Sequence, residues 1–109
     1  MAYQKSPKEQ LSITRQSCLN RAVDLYVADK IDAGKLEVTA EYFVKTIYAK
    51  LGIPVGSVLT ETQTQGIIAL QSSLARAVEL CIAGKIETKD IVDSMYLFGK
   101  YIYNGVKDE

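Results

Sequence analysis

The chain has 109 residues, and its 13 lysine and arginine residues balance 13 aspartate and glutamate residues. A protein dedicated to nucleic acid usually carries a basic excess, because phosphate contacts supply most of its affinity, so the neutral composition disfavours that class. The absence of histidine excludes histidine-based zinc sites and Ser-His or Cys-His catalysis. The length fits one domain, 1–109. No apolar run of membrane-spanning length and no signal-peptide pattern is present, so we expect a cytoplasmic protein that does not bind membranes.

The first predicted helix begins at Ser6-Pro7-Lys8-Glu9. Ser6 can cap it, Pro7 suits the first turn, and Glu9 can complete a capping box. It should continue to about Asp29, because no glycine or second proline interrupts it. Residues at helical spacing predict a broad apolar face. This face comprises Leu11, Cys18, Leu19, Ala22, Val23, Leu25 and Tyr26. The other side is expected to carry Thr14, Ser17, Asn20, Arg21 and Asp24.

A turn at residues 30–35 precedes the second predicted helix, which should run from about Glu37 to Lys50 and end before Gly52. Intervals of three and four residues predict one buried stripe. It comprises Ala40, Phe43, Val44, Ile47, Tyr48 and Leu51. The link at 52–60 is apolar, so we expect it to pack on the core.

The third predicted helix is capped either by Thr60 with Gln63 or by Thr62 with Gln65, and it should run to about Ala83. A glycine inside a helix costs roughly 1 kcal/mol relative to alanine, so the helix could also begin after Gly66. Its predicted buried face comprises Ile67, Leu70, Leu74, Ala77, Val78 and Cys81.

The fourth predicted helix is capped by Thr88 and ends at Asn104-Gly105. One of its faces should be lined by Ile91, Met95, Phe98 and Ile102, with Val106 as a possible extension. No segment of the sequence alternates for long enough to predict a strand.

An internal repeat relates the two halves of the chain. Residues 16–48 and 71–103 align without a gap at a shift of 55, with 14 identities in 33 positions. We therefore predict an all-α fold of two tandem helical hairpins: repeat 1 at about 7–51, a linker at 52–60 and repeat 2 at about 61–106. One hairpin cannot bury its apolar seam alone, so the two should form a four-helix bundle with pseudo-twofold symmetry. In the rival arrangement each hairpin pairs with its equivalent in a second chain, which makes a homodimer.

The sequence offers no catalytic, metal-binding or cofactor-binding motif. The two cysteines do not match across the repeat, since Cys18 aligns with Ser73 and Cys81 aligns with Tyr26. We therefore expect two reduced and mostly buried thiols rather than a disulfide.

The repeated polar residues are the candidate contacts with a partner or a nucleic acid. They are Arg21, Arg76, Lys45, Lys100, Tyr48, Tyr101 and Tyr103. Each arginine is followed three residues later by an acid, which favours surface ion pairs over a phosphate site. Lysines beside tyrosines can bind single-stranded nucleic acid through charge and stacking. The favoured interpretation is an amphipathic rim that contacts another protein.

One sequence pattern resembles a known kind of module. Arg15-Gln16-x-x-Leu19-x-x-Ala22-Val23, followed by Lys30-Ile31 and a helix with Phe43 and Ile47, is similar to a small helical module of uncharacterised phage and mobile-element proteins. Some of those proteins are associated with DNA replication or single-stranded DNA. The resemblance implies an accessory factor and no catalytic residue. We therefore expect a non-enzymatic protein-interaction module, with direct single-stranded nucleic-acid binding as the alternative.

Overall fold

A computed structural model describes residues 6–103, which fold into four α-helices without a strand. The helices are α1 (Pro7–Val27), α2 (Leu36–Lys50), α3 (Glu61–Ile82) and α4 (Ile91–Ile102). Short 3-10 turns, Ala33–Lys35 and Thr88–Asp90, lead into α2 and α4. The predicted all-α, four-helix architecture is confirmed. The predicted end at Asn104-Gly105 and the extension to Val106 lie outside the described residues.

Side-chain caps fix where α1 and α3 begin. The Ser6 hydroxyl accepts from the Glu9 N–H at 3.1 Å, while the Ser6 N–H donates to Glu9 Oε1 at 2.9 Å. Thr60 and Gln63 repeat this reciprocal pair at 3.1 and 2.9 Å, which confirms the first of the two caps proposed for α3. Each pair satisfies backbone donors that a helix start leaves without partners.

The predicted Thr88 cap of α4 is wrong. The N-cap of α4 is Asp90, and the side-chain bond lies instead across the preceding 3-10 turn, where the Glu87 N–H donates to Asp90 Oδ2 at 3.1 Å. This bond closes the 3-10 turn, and the α-helix itself begins only at Ile91. Because the 3-10 turn leads directly into α4, the helix begins without a cap from the Thr88 side chain.

Matching turns end α1 and α3. After α1, the Lys30 N–H donates to the Leu25 carbonyl at 2.8 Å, and after α3 the Lys85 N–H donates to the Leu80 carbonyl at 2.9 Å. Both turns need a left-handed residue. In the second turn that residue is Gly84 at φ 78°, as predicted, whereas the first turn places Asp29 there at φ 61°.

The helices form two hairpins. The most extensive packing joins α3 to α4 and α1 to α2, and the hairpins meet mainly through α1 and α3. The core contains the whole predicted buried face of α3, and α2 contributes its predicted stripe except for half-buried Leu51. The 3-10 turns and the starts of α2 and α4 match at the same shift of 55 residues. The predicted pseudo-twofold axis is not confirmed, because such an axis buries equivalent faces and the burial of α1 and α3 differs.

Two glycines let neighbouring elements approach closely. A Cβ atom added at Gly66 would lie 2.7 Å from Leu51 Cδ2, and one added at Gly99 would lie 2.7 Å from Leu70 Cδ2. Gly66 lies inside α3, because the helix begins at Glu61 and not after the glycine. The link at 52–60 packs on the core through Ile53 and Leu59, as expected from its apolar composition.

Candidate protein-binding surface

The apolar face predicted for α1 is only partly buried. Cys18, Ala22 and Leu25 lie in the core, and Leu11 packs at its edge. Three further members of the predicted face remain substantially exposed. They are Leu19, Val23 and Tyr26, with relative exposures of 42, 39 and 42%.

Thr14 shows the opposite error, because it was expected on the outer side and is fully buried. Its hydroxyl donates to the Gln10 carbonyl at 3.0 Å and accepts from Gln10 Nε2 at 3.3 Å. Buried polar groups are tolerated when they are hydrogen-bonded. Thr14 therefore lies in the core, although a pattern of apolar residues alone does not predict a threonine there.

The internal repeat provides a reference for these exposures, because α3 is the second copy of α1. We call stripe one the side of α1 that carries positions 12, 15, 19, 23 and 26, together with the equivalent side of α3, positions 67, 70, 74, 78 and 81. In α1, stripe one is exposed throughout and consists of Ser12, Arg15, Leu19, Val23 and Tyr26. In α3, stripe one is buried throughout and consists of Ile67, Leu70, Leu74, Val78 and Cys81. Identical residues therefore lie in opposite environments: Leu19 and Val23 are exposed, whereas Leu74 and Val78 are buried.

A second set of positions shows the reverse. We call stripe two the side of each helix that lies opposite stripe one: Gln10 and Leu19 are nine residues apart, which is two and a half turns. In α1 and its C-cap, stripe two is buried or half-buried and consists of Gln10, Ser17, Arg21, Asp24 and Ala28. In α3 and its C-cap, stripe two is exposed and consists of Gln65, Ser72, Arg76, Glu79 and Ala83.

The two repeated arginines follow this division. Arg21 pairs with Asp24 at 3.2 Å and Arg76 pairs with Glu79 at 3.0 Å, so the predicted ion pairs are confirmed. The Arg21 side chain is 26% exposed and the Arg76 side chain is 61% exposed. A symmetric phosphate site requires two equally exposed arginines, and these two differ in exposure.

The predicted lysine and tyrosine contacts differ in their exposure. Tyr48 is fully buried, so its assignment as a contact residue is wrong. It lies on the core side of α2, and burial raises the pKa of its hydroxyl, an effect that the nearby Gly56 backbone and Thr14 side chain oppose. Its equivalent, Tyr103, is half-buried, whereas Tyr101 is 91% exposed. Lys45 is exposed on α2.

Two lysines, Lys50 and Lys100, lie beside the ring of Tyr96, and we call these three residues the Tyr96 cluster. Lys100 Nζ lies 4.9 Å from the centre of the Tyr96 ring, and Lys50 Nζ from the end of α2 lies 4.4 Å from it. Both distances fit cation–π contacts. Lys100 stands four residues after Tyr96 in the same helix, whereas Lys50 is brought to this ring only by the packing of the hairpins.

The cysteines are free and buried, as predicted. Burial raises the pKa of the Cys18 thiol to about 12, with Glu41 adding to the effect and Arg21 opposing it. Burial likewise raises the pKa of Cys81. Reactive thiols need a lowered pKa, so neither sulfur is activated as a nucleophile. Within residues 6–103, no group of three or more histidine, cysteine, aspartate or glutamate side chains is placed to hold a metal ion.

The structure thus defines an all-α protein of two packed hairpins, with a half-exposed apolar row on its first helix. Comparison with known proteins adds no assignment: no family model, no curated protein and no solved structure matches this chain. None of the described helices is both long and apolar enough to cross a membrane.

Sequence reasoning named the apolar residues of stripe one but assigned them to the core. The signal for their true position lay in α1 itself: Ser12 and Arg15 stand where α3 has Ile67 and Leu70. Polar residues at two of the five positions indicate that the stripe faces water in this copy. Only the burial of both copies makes the comparison decisive.

Proposed function

We propose that this chain is a non-enzymatic, cytoplasmic protein-interaction module that binds its partner through the apolar half of stripe one on α1. The observation that carries this proposal is the contrast between Leu19 and Val23, which are exposed, and Leu74 and Val78, which are buried. The same residues at the same helical positions pack against another element in one copy and lack one in the other. A partner protein would supply the missing element.

The chemistry of the row suits protein recognition. Leu19, Val23 and Tyr26 stand at i, i+4 and i+7, the spacing at which a helix places its anchors in a partner's groove. Tyrosine is enriched at protein interfaces because its ring is apolar and its hydroxyl tolerates water. Arg15, at the polar end of the stripe, pairs with Glu41 of α2 at 3.3 Å and borders the row with charge. An apolar centre with a polar border is the usual anatomy of an interface.

The resemblance to phage and mobile-element modules suggests the setting: an accessory factor within a nucleic-acid-processing assembly. In that setting the module binds another protein of the assembly, and the nucleic acid is contacted elsewhere. The neutral charge of the chain is consistent with this division of roles.

Site-specific photo-crosslinking tests the surface. A photoreactive amino acid replaces Val23, and a matched variant carries it at Val38, which is exposed on α2 outside stripe one. In extracts of the source cells, a discrete protein adduct should form from position 23 and not from position 38. Substituting Tyr26→Lys in the same chain should abolish the adduct. Equal labelling from both positions, or none from either, would overturn the assignment.

Single-stranded nucleic-acid binding is the second candidate, and the cluster around Tyr96 is the observation that favours it. Lys50 and Lys100 place two positive charges on one side of the molecule, and the exposed Tyr101 ring follows Lys100 directly. Charge beside an open aromatic ring is the basis of sequence-tolerant binding to single strands. Arg21, Arg76 and Lys45 would contribute only charge.

Titration with a fluorescent single-stranded oligonucleotide over a salt series tests this alternative. Phosphate contact predicts an affinity that falls steeply as salt rises. Lys50→Gln should weaken binding and reduce the salt slope, whereas the matched control Lys35→Gln should leave both unchanged, because Lys35 is an exposed lysine in the 3-10 turn at the other end of α2. Absence of binding at low salt would eliminate the candidate.

A further inference from the structure

The burial of the two stripes shows which surfaces the hairpins use against each other. Stripe one is buried only in the second hairpin, and stripe two is covered only in the first. The main contact between the hairpins joins α1 and α3. Leu70 of stripe one packs beside Gly99 in its own hairpin, which leaves the other members of the stripe to meet α1. The intramolecular interface therefore joins stripe two of α1 mainly to the rest of stripe one of α3, and these are unlike surfaces of two equivalent helices.

An interface between unlike surfaces of equivalent units leaves one surface of each kind unused. Here the unused surfaces are stripe one of α1, at one end of the molecule, and stripe two of α3, at the other. Such heterologous contacts extend from copy to copy and form either closed rings or open filaments. A symmetric contact would have used the same stripe twice and left nothing over.

The shorter helices show the same division. Phe43 and Ile47 of α2 are buried, whereas their equivalents on α4, Phe98 and Ile102, are half-buried and exposed. In the first hairpin, α2 is contacted by both helices of the second. The outer side of the second hairpin thus carries an apolar residue, Ile102, at a position that is covered in the first.

We propose that copies of this chain stack head to tail, with Leu19, Val23 and Tyr26 of one copy packing on stripe two of α3 and on Ile102 of the next. This inference rests on the proposed function and identifies the partner as a second copy. It repeats between molecules the contact that already joins the hairpins within one. Because the net charge of the chain is zero, no long-range repulsion opposes such stacking.

The contact between copies is weaker than the contact within one. Ser12 and Arg15 replace the apolar residues Ile67 and Leu70 of the buried stripe, so only part of the intramolecular interface is reproduced. Polar residues on an end unit limit stacking in repeat proteins. The stacking is accordingly reversible and depends on concentration.

Sedimentation velocity of the purified full chain tests the proposal over a range of concentrations. The average mass should rise from the 12.0 kDa of one chain to at least about twice that value at high concentration. Val23→Lys and Ile102→Lys should each remain monomeric at every concentration. Val38→Lys, which changes an exposed valine outside both surfaces, should associate like the unmodified chain.

A mixing experiment separates head-to-tail stacking from every symmetric arrangement. Val23→Lys retains stripe two of α3 and Ile102, whereas Ile102→Lys retains stripe one of α1. An equimolar mixture should therefore form a dimer that neither variant forms alone. An Ile102→Lys variant that dimerises by itself would overturn the proposal, as would a mixture that stays monomeric. Circular dichroism verifies the fold of each variant, and Tyr26→Lys replaces any Val23→Lys protein that fails to fold.

The two proposals fail separately. If the purified chain stays monomeric while position 23 still crosslinks to a different protein in extracts, stacking is wrong and the interaction module stands. If the adduct at position 23 consists of this chain itself, both are supported. If the purified chain is monomeric and no adduct forms, both are wrong.

Discussion

Gly99 lies in α4 at a point where an added methyl group would collide with the core. The Cβ of Gly99→Ala would lie 2.7 Å from Leu70 Cδ2 and 3.6 Å from Leu70 Cγ. Carbon atoms pack best at about 3.5–4.0 Å, so the overlap with Cδ2 is about 1 Å. Leu70 is fully buried, so its side chain can withdraw only by displacing other core residues.

Gly66→Ala is a matched control because its Cβ would also lie 2.7 Å from a leucine Cδ2. The neighbour there is Leu51, which is half-buried at the end of α2 and has room to rotate. Alanine gains up to about 1 kcal/mol over glycine inside a helix, and overpacking a core costs about 1–3 kcal/mol. We therefore expect Gly66→Ala to be neutral or to stabilise by up to about 1 kcal/mol, and Gly99→Ala to destabilise by about 1–2 kcal/mol.

Urea unfolding followed by circular dichroism measures both effects as shifts in the midpoint at constant slope. A double variant isolates the cause: Leu70→Val shortens the side chain that the new methyl group would meet, so Gly99→Ala should cost little in that background. If Gly99→Ala costs the same free energy in the unmodified chain and in the Leu70→Val background, the collision is not the reason. A loss of stability in Gly66→Ala equal to that in Gly99→Ala would refute the argument from burial.

Three further predictions concern the turns, a cap and the core thiol. Asp29→Gly should stabilise the fold by about 0.5–1 kcal/mol in thermal unfolding and Gly84→Ala should destabilise it by at least as much, because both positions are left-handed. Thr60→Ala should cost about 1 kcal/mol in urea unfolding by removing the hydroxyl that accepts from the Gln63 N–H, whereas Thr60→Ser should not. The pKa of Cys18 is raised from 9.0 to about 12, so above pH 9 the unfolded state binds fewer protons than the native state. The free energy of unfolding should therefore fall between pH 9 and about 12 by up to ~1.4 kcal/mol per unit, and unfolding curves of Cys18→Ala should lack this part of the fall.

Local signals were sufficient to predict the helices. Capping pairs at Ser6 and Thr60, the breaker at Gly84 and the apolar spacing of α2 and α3 all act within a few residues, so a sequence pattern carries them. The start of α4 was misplaced because the cap uses the carboxylate of Asp90 rather than a threonine hydroxyl. Thr14 was misplaced because its polar group is satisfied by its own helix and needs no water.

The candidate surface depended on information that local signals do not contain. Periodicity gave α1 and α3 the same broad apolar face, because Leu19 and Val23 recur as Leu74 and Val78. Which part of that face is buried depends on the side from which the second hairpin approaches. A symmetric approach was assumed, and it predicts that both copies bury the same stripe. The observed burial differs between the two copies, so the predicted symmetry of the contact between the hairpins is not confirmed.

Duplication itself explains why such a surface should exist. A unit that packs on its copy through two different sides leaves one of each side at the ends of any array that does not close into a ring. Single-chain repeat proteins usually make these end surfaces polar. This chain does so for Ser12 and Arg15 but leaves Leu19, Val23 and Tyr26 apolar. Because three of the five stripe-one residues of α1 are apolar, this surface can still form an apolar contact. The surface that we propose as its partner is stripe two of α3 on an identical molecule.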